Sequence, residues 1–255
     1  HGFVSMLPIS EQGATNTLIT WLDGRNTKAG EEYGEMTLRA GIFDSLGETL
    51  SEWEIDHRVC DCCQTSAAMT AKGPLVVYRD RSSNEIRDIS MVRYSSGEWT
   101  KPRTIHDDKW QINGCPVNGP AVSARDDQVA VAWFTAKEDT PTVQLALSSD
   151  SGDSFSEPIV VASPETNGRV GTAILNAGAV AVSWIDITEV HAKIMLSLFS
   201  PQGRLLHTSV VAKTSASRRS GFPIIESVGD SVFVTWTDVG ETPQVKVARL
   251  EFELN

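Results

Sequence analysis

The sequence predicts an all-β propeller, on three observations: a repeat, an alternation and a composition. Five apolar runs each end in an aromatic residue: "NTLITWLDGR", "GPLVVYRDRS", "DQVAVAWFTA", "GAVAVSWIDI" and "DSVFVTWTDV". The aromatics are Trp21, Tyr78, Trp133, Trp184 and Trp236, spaced by 57, 55, 51 and 52 residues, in and just above the range of propeller blades. The flanking segments alternate apolar and polar residues, as half-buried strands do. With 255 residues, 40% of them hydrophobic, the chain is long enough for one sizeable core, and all-β folds of this length commonly stay a single domain.

Each unit reads as four strands in order. The first, rich in small residues, is "HGFVSMLPI", "QTSAAMTA", "NGPAVSAR", "RVGTAIL" or "SGFPIIES", and the second is the run ending in the aromatic. The third is "EMTLRAGIF", "DISMVRY", "TVQLALSS", "AKIMLSLFS" or "QVKVARLEF". A fourth, outer strand follows a tight turn in four units, as in "EWTKPRTI", "EPIVVAS" and "LHTSVVAK". One domain over 1–255 is expected, with blades at roughly 1–56, 57–110, 111–164, 165–215 and 216–255. Trp21, Trp133, Trp184 and Trp236 are expected to pack between blades.

The fifth unit stops at Asn255 without an outer strand, and a closed propeller must satisfy the edge so left. The chain opens "HGFVSMLPIS", with neither Met nor a charged and apolar leader. The expectation is a six-bladed propeller truncated at its N-terminus, with an outer strand and a blade encoded upstream of His1. A five-bladed ring with an open seam is the alternative.

The formal net charge of -11 argues against nucleic acid or an anionic membrane as partner, because either needs a clustered basic face. No apolar run is long enough to cross a bilayer, so no membrane insertion is expected.

In a propeller the loops from outer strand to next blade, and from second to third strand, gather on one face. That face collects Asp23, Arg25, Tyr33, Arg79, Asp80, Arg81, Arg87 and Asp88 from the second-to-third connections. From the interblade connections come Asp56, Arg58, Cys60, Cys62, Cys63, Trp110, Cys115, Asn118, Arg169, Arg218 and Arg219. Such a concentration of charge is what a pocket for a carbohydrate or another small anionic ligand would look like. Arg25, Arg79 and Arg81, with Asn118 and Arg169, are the candidate ligand-binding residues. Asp23 and Asp80 are the candidates for orienting them or handling a proton. An Arg-Asp lattice that merely ties loops together is the competing reading.

"RVCDCCQTSAAM" places Cys60, Cys62 and Cys63 in the loop entering the second blade, and "INGCPVNGP" places Cys115 in the same loop of the third. Neighbouring blades bring these loops side by side. Two readings are open. Four cysteines allow two disulfides, with Cys115 bridged to one of the cluster, because a bridge between adjacent Cys62 and Cys63 would be strained. Four thiolates also suit Zn or a thiophilic ion such as Cu(I).

"SSDSGDSF", with Ser148, Asp150, Gly152 and Phe155, resembles the Asp box of BNR-repeat propellers, and looser echoes occur in "FDSLGE", "YSSGEW" and "FSPQGR". Together with "CDCCQT", "YRDRS" and "CPVNGP", these make the chain similar to the bacterial sialidase-family propellers. The resemblance implies a structural role for the Asp-box turn. It also implies an exported, periplasmic or extracellular, glycan-directed protein, an exo-α-sialidase-like glycoside hydrolase. The alternative is a non-catalytic propeller that binds a metal ion or anionic ligand through its Cys-rich face. A sialidase holds its substrate's carboxylate with three arginines and uses a Tyr-Glu nucleophile with an aspartate as acid/base. The family's F/Y-R-I-P arginine motif is absent here, and Tyr33, beside Glu31 and Glu32, is the tyrosine left for the nucleophile's place.

Overall fold

The computed structural model describes residues 2–11, 13–27, 34–188 and 192–252; His1 and the expected site residue Tyr33, with Glu31 and Glu32, lie outside the described residues. The chain divides into two compact units, His1–Pro120 and Ala121–Asn255.

The first unit holds two sheets. β1 (Gly2–Glu11), β2 (Ala14–Asp23), β3 (Thr37–Phe43) and β4 (Thr49–Asp56) form an antiparallel meander in sequence order. β5 (Ser66–Thr70), β6 (Gly73–Arg79) and β7 (Ile89–Ser95) form the core of the second sheet, and its outer position is shared by two short strands, β8 (Glu98–Trp99) and β9 (Arg103–Thr104), both pairing with β7. Along β2 burial alternates, with Leu18, Thr20 and Leu22 inside, the period-2 pattern of a pleated strand. β6, by contrast, is buried almost throughout, because both of its faces are covered.

The second unit holds three sheets. β10 (Ala121–Arg125), β11 (Gln128–Thr135), β12 (Thr142–Ser148) and β13 (Ile159–Ala162) make the first, and β14 (Gly171–Ile174), β15 (Val180–Ile187), β16 (Ala192–Phe199) and β17 (Leu205–Thr214) the second. The third has only three described strands, β18 (Ile224–Val228), β19 (Ser231–Asp238) and β20 (Gln244–Glu251). β14 lies against both β10 and β18. Gly171 makes that approach possible, since a Cβ there would sit 2.2 Å from Ile225 Cγ2.

Four of the aromatic series sit where blade packing requires, while Trp21 is only half-buried. Tyr78, Trp133 and Trp184 are buried, and Trp236 packs partly buried against a cluster of Leu196, Ile225 and Val234. Tyr94 lies buried in β7 between Trp53 and Trp99, with ring centroids 5.5 and 5.3 Å away. The two outer strands supply the flanking indoles of this cluster, and burying the edge of a large ring stabilises more than leaving it wet.

The turns between third and fourth strands share one device. Ser148 Oγ accepts from the N–H of Asp150 at 3.2 Å and of Gly152 at 2.9 Å. Asp44 Oδ1 accepts from Leu46 and Glu48, both at 2.9 Å, and Ser200 Oγ from Gln202 at 3.3 Å and Arg204 at 3.2 Å. In each case a side-chain oxygen replaces backbone acceptors that the reversal cannot supply. Asp150 is further tied to Ser148 Oγ at 2.6 Å and to the Ser154 N–H at 2.9 Å, and these bonds hold its carboxyl far below the usual range. Gly152, at φ 86°, occupies the left-handed region this turn needs. Phe155, the last residue of the motif, is partly buried.

Candidate functional site

The chemistry-bearing residues of the first unit converge on the loops around the second sheet. The chain leaves β4 at Asp56, whose Oδ2 accepts from the buried Tyr78 hydroxyl at 2.6 Å and whose Oδ1 accepts from the Arg58 N–H at 3.1 Å. It then zips onto the end of β6: Val59 bridges Asp80, and the Cys60 N–H donates to Arg79 O at 3.1 Å. A tight turn at Asp61 and Cys62 reverses the chain, so the cysteine side chains return toward one another.

Cys60 Sγ lies 3.5 Å from Cys63 Sγ and 3.9 Å from Cys62 Sγ, and all three sulfurs lie within 4.8 Å of one another. Cys60 and Cys63 are buried, Cys62 is half-buried and Cys115 is exposed. All four are free thiols. The structure shows no bridge from Cys115 to the cluster, and within the cluster Cys60 and Cys63 stand at a separation far beyond the ~2.05 Å of an S–S bond. Cys115 stands outside that group of three, though it adds to the effects that push the Cys62 thiol up. Hydrogen bonds from Cys62 and Cys63, and then from Arg87, favour a thiolate at Cys60. The same Cys60 contact leads the effects that push Cys62 and Cys63 upward.

Around the sulfurs stands an ion lattice. The buried Arg87 donates Nη1 to Cys60 Sγ at 3.2 Å and Nη2 to Glu85 Oε2 at 2.7 Å. Arg81 donates to the same Glu85 at 2.8 Å and lies 3.4 Å from Glu35 and 3.7 Å from Asp61. Glu85, between two guanidinium groups, is held at about 2 by Arg81 first, against the opposing effect of burial, with Arg87 adding to the lowering. Sequence reasoning passed over Glu85; its signal was the position four residues after Arg81 and two before Arg87 in "YRDRSSNEIRD".

Arg79 is buried and braces the neighbouring loop. It donates Nε to Asn118 O at 2.8 Å and Nη1 to Arg87 O at 2.5 Å, and stacks over the Trp110 ring at 5.0 Å. Asp88 accepts from the N–H groups of Lys109 and Trp110 at 2.8 and 3.0 Å. Gln64, the glutamine of "CDCCQT", accepts from the Gly119 N–H at 2.9 Å and donates back to Gly119 O at 3.3 Å. Together these contacts seat the loop that carries Cys115 beside the loop that carries the other cysteines.

The candidate acids occupy different settings. Asp80 accepts from Ser90 Oγ at 3.0 Å and from the Arg81 N–H at 2.6 Å; burial, then the nearby charge of Asp56, pushes its carboxyl up. Asp23, fully buried, accepts from Trp21 Nε1 at 2.8 Å and from Arg25 Nη2 at 2.7 Å. Burial alone would raise it, but the bonds from Arg25 and Trp21 hold it at about 2. Asp23 is also a repeated part. In the fourth blade Trp184 Nε1 donates to Asp186 in the same two-residue spacing, so the indole-carboxylate brace belongs to the blade before it belongs to any site.

Arg25 continues outward, its Nη2 reaching Glu52 Oε1 at 3.1 Å. Trp21 and Arg25, with Gly2, Val4, Ile19 and Phe43, line a cleft of about 310 Å³. In the second unit, Arg169 is buried and donates Nη1 to Gly221 O at 2.8 Å and Ser220 Oγ at 3.0 Å, with its guanidinium 5.6 Å from the Phe222 ring centroid. Arg218 and Arg219 sit in the adjoining short 3-10 turn Arg218–Ser220. Of the predicted set, the structure thus brings together Arg79, Arg81, Asp80, Asn118 and the four cysteines; Asp23 and Arg25 form a separate pair on the first sheet.

Similarity to solved structures identifies the class: the chain has a β-propeller fold. The AofleA protein from Arthrobotrys oligospora matches over 97% of this chain and 68% of its own, at 11% identity and a TM-score of 0.56. A six-bladed fungal lectin from Aleuria aurantia matches over 98% of this chain and 78% of its own, at 12% identity and a TM-score of 0.52. Fructan 1-exohydrolase IIa from Cichorium intybus matches over 92% of this chain and 51% of its own, at 12% identity and a TM-score of 0.50. No protein-family model matches the sequence, and no curated protein matches it.

Proposed function

We propose that the chain is a glycan-directed propeller that acts by binding, with a neutral sugar seated in the cleft of Trp21 and Arg25. The carrying observation is that cleft: an indole platform beside a half-exposed guanidinium, with Glu52 at its edge, in a space of about 310 Å³. A pyranose presents a C–H face that packs on an aromatic ring and hydroxyls that take bidentate bonds from Arg and accept or donate at a carboxylate. Arg25 and the neighbouring Arg39 are faced by three carboxylates, Asp23, Glu52 and Glu54, so a further carboxylate, such as that of a sialoside, would meet no net positive charge there. The fold supports the reading, since the propellers it resembles include a fucose-specific lectin and a fructan hydrolase.

A sialidase-type hydrolase is the second reading, and Asp80 favours it: a carboxyl pushed up by burial is what a general acid requires. Against that, Arg79 and Arg81, the guanidinium groups nearest Asp80 in sequence, already hold Asn118 O, Arg87 O and Glu85. They would have to leave these partners to clamp a substrate carboxylate.

The test is calorimetric titration with L-fucose, galactose and sialyllactose, together with an aryl sialoside hydrolysis assay. The proposal expects saturable binding of a neutral sugar that Trp21→Ala abolishes and Arg25→Met weakens at least tenfold, with no hydrolysis. Hydrolysis that Asp80→Asn abolishes would replace it with the second reading. No sugar binding, or binding indifferent to Trp21→Ala, would overturn it.

A further inference from the structure

We propose that Cys60, Cys62 and Cys63, completed by Cys115, form a binding site for a thiophilic d10 metal ion, Zn2+ or Cu+. Three sulfurs brought within 4.8 Å of one another by a single turn are already at coordination spacing. Four sulfurs around Zn2+ at about 2.3 Å stand about 3.8 Å apart, and three in a trigonal plane at the same bond length about 4.0 Å. The observed 3.5 and 3.9 Å bracket the tetrahedral edge, and a central ion would need only small side-chain adjustments.

Packing alone does not account for the arrangement. A niche meant for small apolar side chains would be lined by apolar neighbours, whereas here Arg87 Nη1 points at Cys60 Sγ from 3.2 Å, with Glu85, Arg81 and Asp61 behind it. An N–H donor aimed at a ligand sulfur, itself oriented by a carboxylate, is the outer shell that metal thiolates characteristically keep. The charges also fit: three or four thiolates leave an excess of negative charge on either ion, which the Arg87 guanidinium faces at Cys60 Sγ.

Access and closure are built in. Cys60 and Cys63, 0% and 1% exposed, form the floor, while Cys62 is half-buried and Cys115 exposed. An ion arriving from solvent therefore meets Cys115 and Cys62 first and is then enclosed. The paired bonds of Gln64 with Gly119 and the bond from Arg79 to Asn118 O hold the Cys115 loop at this station in advance. The ion-to-ligand step is an exchange without electron transfer: each thiol that joins releases a proton to solvent.

The experiment uses the whole chain, reduced and handled anaerobically without chelator, and reads metal content, Co2+-substituted absorption and competitive titration with Zn2+ and with Cu+. One ion per chain is expected, with intense sulfur-to-cobalt charge-transfer bands in the Co2+ form. Cys60→Ser and Cys63→Ser should lose stoichiometric binding while circular dichroism stays β-type, and Arg87→Met should weaken it by roughly 10- to 100-fold. Cys115→Ser separates the ions: Zn2+ affinity falls steeply if four sulfurs bind it, while a three-sulfur Cu+ site is left largely intact. A folded, fully reduced protein that takes up neither ion overturns the proposal. So does uptake unaffected by Cys60→Ser. Sugar binding is not part of either readout, so this inference stands or falls apart from the Trp21 cleft.

Discussion

Gln64 and Gly119 hold each other by a reciprocal pair of bonds, N–H to Oε1 at 2.9 Å and Nε2 to carbonyl oxygen at 3.3 Å, across 55 residues of sequence. The contact is so close that a Cβ on Gly119 would sit 2.0 Å from Gln64 O. Gln64 is thus the latch by which the first cysteine loop grips the second.

Gln64→Leu should cost about 1 to 3 kcal/mol, since it leaves the Gly119 N–H without its acceptor. Gly119→Ala should cost more, because backbone rather than a flexible side chain must give way. Urea denaturation followed by tryptophan fluorescence measures both. Gln64→Leu should also speed the reaction of Cys115 with a thiol reagent in the folded protein, and an unchanged rate would show that the latch does not set the position of that loop.

Tyr78 should refuse to ionise in the native state. Burial, then the negative charges of Asp56 and Asp80, push its phenol above the ordinary tyrosine range. In an alkaline absorbance titration of the native protein, Tyr78→Phe should therefore leave the amplitude below about pH 11 unchanged. The same substitution removes the donor at 2.6 Å from Asp56 and should destabilise by about 1 to 3 kcal/mol. Native amplitude that falls in the variant would contradict the buried pairing.

Asp23 should make the first unit acid-sensitive. Its carboxyl stands at about 2 in the folded chain against 3.8 for the ordinary group. A depressed folded value contributes stability that is fully present above the unfolded value and is lost as pH falls through the folded one, so the loss falls between about pH 4 and pH 2. By linkage the contribution is about 2 kcal/mol. Asp23→Asn should be less stable at neutral pH and show a flatter dependence over that window, measured by urea midpoints at several pH values. Parallel curves for the two proteins would refute the assignment.

The fold was legible because each blade repeats its own local rules. The run ending at Trp133 or Trp184 is largely apolar since both faces of that strand are covered, and a small residue such as Gly171 marks where sheets approach. The turns announced themselves by a Ser or Asp followed by Gly. The site was legible only as a gathering. That Arg79 and Asp80 lie on one face followed from strand order, but what they touch did not: Arg79 reaches Asn118, 39 residues on, and no local pattern encodes that partner. The burial of Tyr94 was not legible for a related reason, because the indoles that cover it come from two different outer strands. The pair Cys60 and Cys63 is a C-x2-C step hidden inside a denser run, visible once the turn at Asp61 shows which sulfurs face each other.

The Trp21–Asp23 and Trp184–Asp186 braces carry an implication for how such a chain diversifies. The same indole-carboxylate brace is kept in two blades although different residues follow the carboxylate. After Asp23 come a glycine and Arg25, which looks outward to Glu52; after Asp186 come Ile187 and Thr188. One framework thereby carries unlike rims, and a different rim requires only a change of the loop residues that follow the carboxylate.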